Sequence, residues 1–207
     1  MSTLLRVVLL IALPAVAFVA GGAVMQKQTG RHHVGELLDR DPPKGPDGKV
    51  KKVRYLNMRW EGYTAKGFRA YWDALDGDAR RIEERFLEWD LVFPFLYGGA
   101  LAASMLMAWA ALGRPVHPAW VVLPVLILVM ADWTENLVQL GQIRRLNAEA
   151  GLQPGWVAVA GAATMLKWAF TVVSAAALGY LLWNLATRGP AARPGTGAAE
   201  AAVREAT

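Results

Sequence analysis

Asp132, Glu135 and Asn136 stand at i, i+3 and i+4 near the end of an apolar run, Ala119 to Leu140, that is long enough to cross a bilayer. On a helix this spacing puts all three on one face. Carboxylates and amides inside a membrane segment are costly and need partners. Lys167 lies in the next apolar run, with Thr164 one turn before it on the same face. Asp90 and Tyr97 share a third face with Phe93 and Pro94. Asp132 and Glu135 against one lysine leave one negative charge, or one shared proton. Such a set suits two chemistries. One is an internal ion pair that fixes helix register, because single interhelical hydrogen bonds in membranes contribute only about 0.6 kcal/mol on average. The other is a polar pocket for a ligand, proton or ion. The helical rise puts Asp132 roughly 13 Å from the end of its run and Lys167 roughly 17 Å into the next. A lysine stem covers that difference by snorkelling.

The elements that must position these groups follow from the apolar runs. With 207 residues, 55% of them hydrophobic, the chain reads as an all-α membrane protein. Four transmembrane helices in a bundle are expected, with a small mixed extramembrane domain between helices 1 and 2. Residues 1–25 read as transmembrane helix 1. Its run from Val7 to Met25 follows Arg6 and contains Ala15-Val16-Ala17, which looks like a signal-peptide cleavage site. The run continues to ~19 residues, the length of a span, which favours an uncleaved signal-anchor.

Residues 26–89 form the expected extramembrane domain. A short helix at Val34–Asp39 and a turn-rich loop at Asp41–Gly48 come first. Alternation over Val50–Trp60 predicts a strand or short hairpin. Thr64 is a suitable N-cap for a helix to Leu75, with Phe68, Tyr71, Trp72 and Leu75 on one face. After Gly77, no breaker precedes Pro94, so a nearly continuous helix is expected from Asp78 to Leu112, bent near Pro94. Residues 90–187 make the three-helix transmembrane region, with spans ending at Leu112, covering Ala119–Leu140, and covering Trp156–Trp183. Their short connections make them antiparallel neighbours. Residues 188–207 are Gly, Pro, Ala and scattered charge, and are expected to be disordered.

Composition also narrows the chemistry. The chain has no cysteine, which excludes disulfides, thiol catalysis and zinc–thiolate sites. No phosphate-binding glycine loop, serine-nucleophile motif or zincin motif is present. His32 and His33 are adjacent, are expected to point apart, and lack a third ligand at suitable spacing. No metal site, cofactor or catalytic residue is therefore assigned. The net charge of +5 is spread out, and no basic run accompanies a nucleic-acid-binding motif. The expected partners are the lipid bilayer and a protein or lipid-like ligand, with no nucleic acid. The expected setting is multi-pass in a bacterial inner membrane. Basic flanks favour a cytoplasmic large loop and the signal-like start an external one; the latter is preferred. In layout alone the chain resembles claudin-like four-span proteins. Their paired loop cysteines are missing here, so the resemblance assigns no residue a role. The leading functional expectation is a non-enzymatic binding or assembly module built on Asp90, Tyr97, Asp132, Glu135, Asn136, Thr164 and Lys167. The alternative is a small transporter or lipid-modifying enzyme that uses the cluster for proton transfer.

Overall fold

A computed structural model of the chain describes residues 2–40, 54–114 and 119–188. The expectations for the Asp41–Gly48 loop, the start of the strand and the tail after Arg188 fall outside them. Helix α1 (Thr3–Thr29) is followed by α2 (His32–Arg40), a 3-10 turn (Leu56–Met58), α3 (Ala65–Asp73), α4 (Gly77–Asp90), α5 (Phe93–Ala111), α6 (Ala119–Asn147) and α7 (Pro154–Arg188). Among the described residues, four helical stretches are long and apolar enough to cross a membrane: Thr3–Thr29, Gly77–Ala111, Ala119–Asn147 and Pro154–Arg188. The chain is an all-α, multi-pass integral membrane protein.

Local chemistry sets the helix starts. The Ser2 hydroxyl accepts from Leu5 N–H, Thr64 from Gly67 N–H at 3.2 Å, and Asp76 from Ala79 N–H at 2.8 Å. Each satisfies an amide that the first turn leaves without a partner. Gly30, at φ 77°, ends α1 in the left-handed conformation that suits glycine.

The expected strand is absent among the described residues of its range. Leu56–Met58 is a 3-10 turn, with Met58 N–H bonded to Tyr55 O and Arg59 N–H to Leu56 O. The alternation had no neighbouring strand to pair with. Instead Leu56 is buried and the Asn57 carbonyl accepts from Trp168 Nε1 at 3.2 Å.

The long helix expected from Asp78 is helical throughout Arg80–Trp89, but it breaks at Leu91–Val92, before Pro94. Proline has no N–H, and its ring clashes with the carbonyl four residues earlier, which here belongs to Asp90. Bonds of the i→i+3 type carry the chain across: Val92 N–H to Trp89 O and Phe95 N–H to Val92 O. Helix α6 covers the exposed carbonyls. Asn136 Nδ2 donates to Asp90 O at 3.1 Å, and Trp133 Nε1 donates to Leu91 O at 2.7 Å.

Two apolar cores result. One joins the loop region to the upper ends of α6 and α7, and includes Val34, Phe68, Tyr71, Leu140, Ile143, Val157 and Ala160. The other lies within the bundle around Met105, Trp109, Val125, Leu178 and Leu185. Helix α6 therefore runs past its apolar stretch to Asn147, because its end gains a second core to pack into, whereas α7 extends mainly at its other end, from Trp183 to Arg188. The depths expected for Asp132 and Lys167 are partly lengths inside the loop region. The polar residues lie where the two cores meet. Large apolar side chains such as Val16, Val19, Leu106, Met107 and Val172 face outward, where lipid would lie. Exposed tryptophans mark both ends: Trp120 and Trp183 at one, Trp60, Trp89 and Trp156 at the other.

Candidate functional site

Lys167 is the hub of the polar layer. Its Nζ lies 3.0 Å from Asp132 Oδ1 and 2.5 Å from Glu135 Oε2. Both carboxylates come from one face of α6, as their spacing requires, and the lysine comes from antiparallel α7. Asp132 has further partners: the Tyr97 hydroxyl donates to its Oδ2 at 2.6 Å, and Asn136 Nδ2 lies 3.4 Å from its Oδ1. Gln139 extends the network into the loop region, donating to Glu135 Oε1 and to the Tyr63 hydroxyl, both at 2.8 Å. Burial, and then the Glu135 carboxylate, push the Tyr63 phenol well above the usual tyrosine range. Tyr63 therefore stays neutral at physiological pH.

Gln139 and Tyr63 were not picked out in the sequence. Gln139 stands four residues after Glu135, so the signal for it was the same helical spacing. Thr164 is fully buried; its hydroxyl donates to Ala160 O of its own helix at 2.9 Å and stands against the Glu135 carboxylate and the Tyr63 hydroxyl.

A second buried ion pair had no sequence signal. Arg31 Nε and an Nη donate to the two Glu83 oxygens at 3.0 and 2.8 Å. This parallel, bidentate geometry is the strong form of the contact. The guanidinium also lies over the Phe86 ring at 3.4 Å and reaches Asn57 Oδ1 at 3.3 Å. Burial alone would lower its pKa, but Glu83 outweighs burial and holds it above the usual arginine value. The pair fastens the end of α1 to α4 across 52 residues of sequence.

A cavity of about 710 Å³ lies between α1 and the α5, α6 and α7 helices. Its long walls are apolar, with Ile11, Pro14, Phe18, Leu101, Leu178 and Leu182 among them. Its polar end carries Gln26, Arg31, Asn57, Asp90, Asp132 and Lys167. Asp90 differs from the others there. The residue is 4% exposed, and its carboxylate makes no hydrogen bond or ion pair among the described residues. Its carbonyl is the group that Asn136 binds. Of the seven expected cluster residues, Asp90, Tyr97, Asp132 and Lys167 line the cavity, while Glu135, Asn136 and Thr164 lie behind its wall.

His32 lines the cavity, and His33 lies 3.8 Å from Glu36. The two histidine rings do not point apart as expected, since their centroids are 3.9 Å apart. Among the described residues no group of three His, Cys, Asp or Glu side chains is placed to hold a metal ion.

The site and fold define an integral membrane protein with a buried ion-pair layer beside an amphipathic cavity. Comparison with known protein families, curated proteins and solved structures finds no match to the chain.

Proposed function

We propose that the protein is a non-enzymatic binding module of the membrane, and that its cavity receives a lipid-like amphiphile. The observation that carries this reading is the cavity's polarity gradient. The apolar walls run along the bundle and end at Asp90, Asp132 and Lys167. A volume of about 710 Å³ falls in the range of small-molecule sites, about 300–1,000 Å³. A tail would lie between α1 and α7, with its head at the junction of the two cores. Helix α1 suits the role of a covering wall, because nearly all of its apolar length is left unburied by the rest of the bundle. Proton transfer is less well supported, because Lys167 is held by two carboxylates and Asp132 is bonded on both oxygens.

Gly179 supplies the test. It lines the cavity, and a Cβ added there meets nothing within 4 Å. Gly179→Phe should fill the tail channel without disturbing the bundle. Detergent-purified protein would be titrated with dodecanol and followed by intrinsic tryptophan fluorescence. Saturable binding that weakens at least tenfold in Gly179→Phe is the expected result. Equal binding by the two proteins, or none by either, would refute the reading.

A further inference from the structure

The chemistry of the head can be read from the polar end of the cavity. The Arg31–Glu83 pair is bidentate and neutral as a unit. Beside it stand three carboxylates, Asp90, Asp132 and Glu135, and one ammonium, Lys167. The Lys167 charge is already shared between Asp132 and Glu135, at 3.0 and 2.5 Å. Asp132 also accepts a hydrogen bond from the Tyr97 hydroxyl, and Glu135 accepts one from the Gln139 amide. Asp90 has no such partner, although it is buried and lines the cavity. A buried carboxylate without a donor is costly, and the cost falls when a cation or a strong donor reaches it. The remaining polar lining does not reverse the sign. Gln26 and Asn57 are neutral, the Arg31 charge is committed to Glu83, and His32, the other basic group of the lining, is exposed rather than buried. An anionic head would meet Asp90 at close range and be repelled.

We propose that the cavity selects an amphiphile whose head carries a protonated amine, with the Asp90 carboxylate as its counter-ion. This rests on the amphiphile reading given above. The ammonium would donate to Asp90 at the upper end of the cavity, with its tail directed toward Leu178 and Leu182. The same head chemistry occurs in a free long-chain amine and in an aminophospholipid.

Dodecylamine, dodecanol and dodecyl phosphate share a tail and differ in the head, so they separate head recognition from tail burial. The full chain would be titrated with each, as wild type, Asp90→Asn and Asp90→Ser. Partition into micelles is the same for the three proteins, so the ratio of amine to alcohol affinity compares them directly. The wild type should prefer the amine at least tenfold, and both variants should lose that preference while binding dodecanol as before. In nanodiscs, a matching preference for phosphatidylethanolamine over phosphatidylcholine and phosphatidylglycerol identifies a bilayer lipid as the source. A preference confined to dodecylamine identifies a free amine, and either pattern supports the proposal. Equal affinity for amine and alcohol, tighter binding of the phosphate, or a preference that survives in both variants overturns it and leaves the amphiphile reading standing. Loss of dodecanol binding in both Asp90 variants also overturns it, because a side chain without protein partners is not needed for folding. If dodecanol and dodecylamine both fail to bind the wild type, the amphiphile reading itself falls.

Discussion

Replacing Lys167 by Met isolates the energetics of the polar layer. The lysine faces two carboxylates at 3.0 and 2.5 Å. At an effective dielectric of about 20, each contact carries a gross Coulomb attraction of roughly 6 kcal/mol, much of which is offset by desolvating the charges. The measurable quantity is the cost of removing one partner, because that leaves buried carboxylates uncompensated. We expect Lys167→Met to lose about 3–5 kcal/mol. Removing Glu135 as well, as Lys167→Met with Glu135→Leu, should recover only part. Asp132 would keep the Tyr97 hydroxyl and the Asn136 amide but would have lost its cation. Adding Asp132→Asn should recover most of the remainder, since an amide oxygen still accepts from Tyr97. Unfolding in mixed micelles by dodecyl sulfate titration, read by circular dichroism, would give the three free energies. A Lys167→Met loss below about 0.6 kcal/mol, the average for one interhelical hydrogen bond in a membrane, would show that the layer is wet and screened. A triple variant no more stable than the single one would refute the charge argument in another way, since packing would then account for the loss.

The remaining predictions use the same assay. Arg31→Met should cost about 3–5 kcal/mol by leaving Glu83 buried and unpaired, and Arg31→Met with Glu83→Leu should recover most of it; if the double variant is as unstable as the single, Arg31 acts through Phe86 and Tyr55 instead. Asn136→Ala should cost about 1–3 kcal/mol by removing the donor to the Asp90 carbonyl, and Trp133→Phe a similar amount at Leu91; no change in either would mean that water covers the break before Pro94. Gly161→Ala should be worse than Gly98→Ala by at least ~1 kcal/mol. A Cβ at Gly161 would lie 2.5 Å from the Tyr63 carbonyl, which is backbone, whereas at Gly98 it meets the movable tip of Val129. The reverse order would show that the loop region shifts freely over α7.

The core of the site was legible because helix geometry leaves little choice. Asp132, Glu135 and Asn136 must share a face, and a lysine on the adjoining antiparallel helix is the cheapest partner for carboxylates in a low-dielectric layer. Arg31 was not legible in the same way. It follows an apolar run and precedes two histidines, the usual context of a flanking cation, and its partner Glu83 is 52 residues away. Pro94 signalled a bend, but its effect falls on the carbonyl four residues earlier, so the break lies at Leu91–Val92. The length of α6 was missed because hydropathy stops at Leu140, while packing does not: Ile143 belongs to a core that only the folded loop region completes.

That core explains why costly groups are tolerated where they stand. Asn136 reads in the sequence as a member of the ion cluster, and it does contact Asp132, yet its shorter bond covers the carbonyl that Pro94 leaves free. The polar layer is thus tied to the break between α4 and α5, and Asp90, the last residue of α4 before that break, lines the cavity. Every other charged group in the layer has a partner within the protein. A chain that needed its polar layer only for helix packing could dispense with the Asp90 carboxylate, since Asp90 serves packing through its carbonyl alone. The side chain, unlike the carbonyl, makes no hydrogen bond or ion pair among the described residues, and it stands on the cavity wall, where the proposed ligand would meet it.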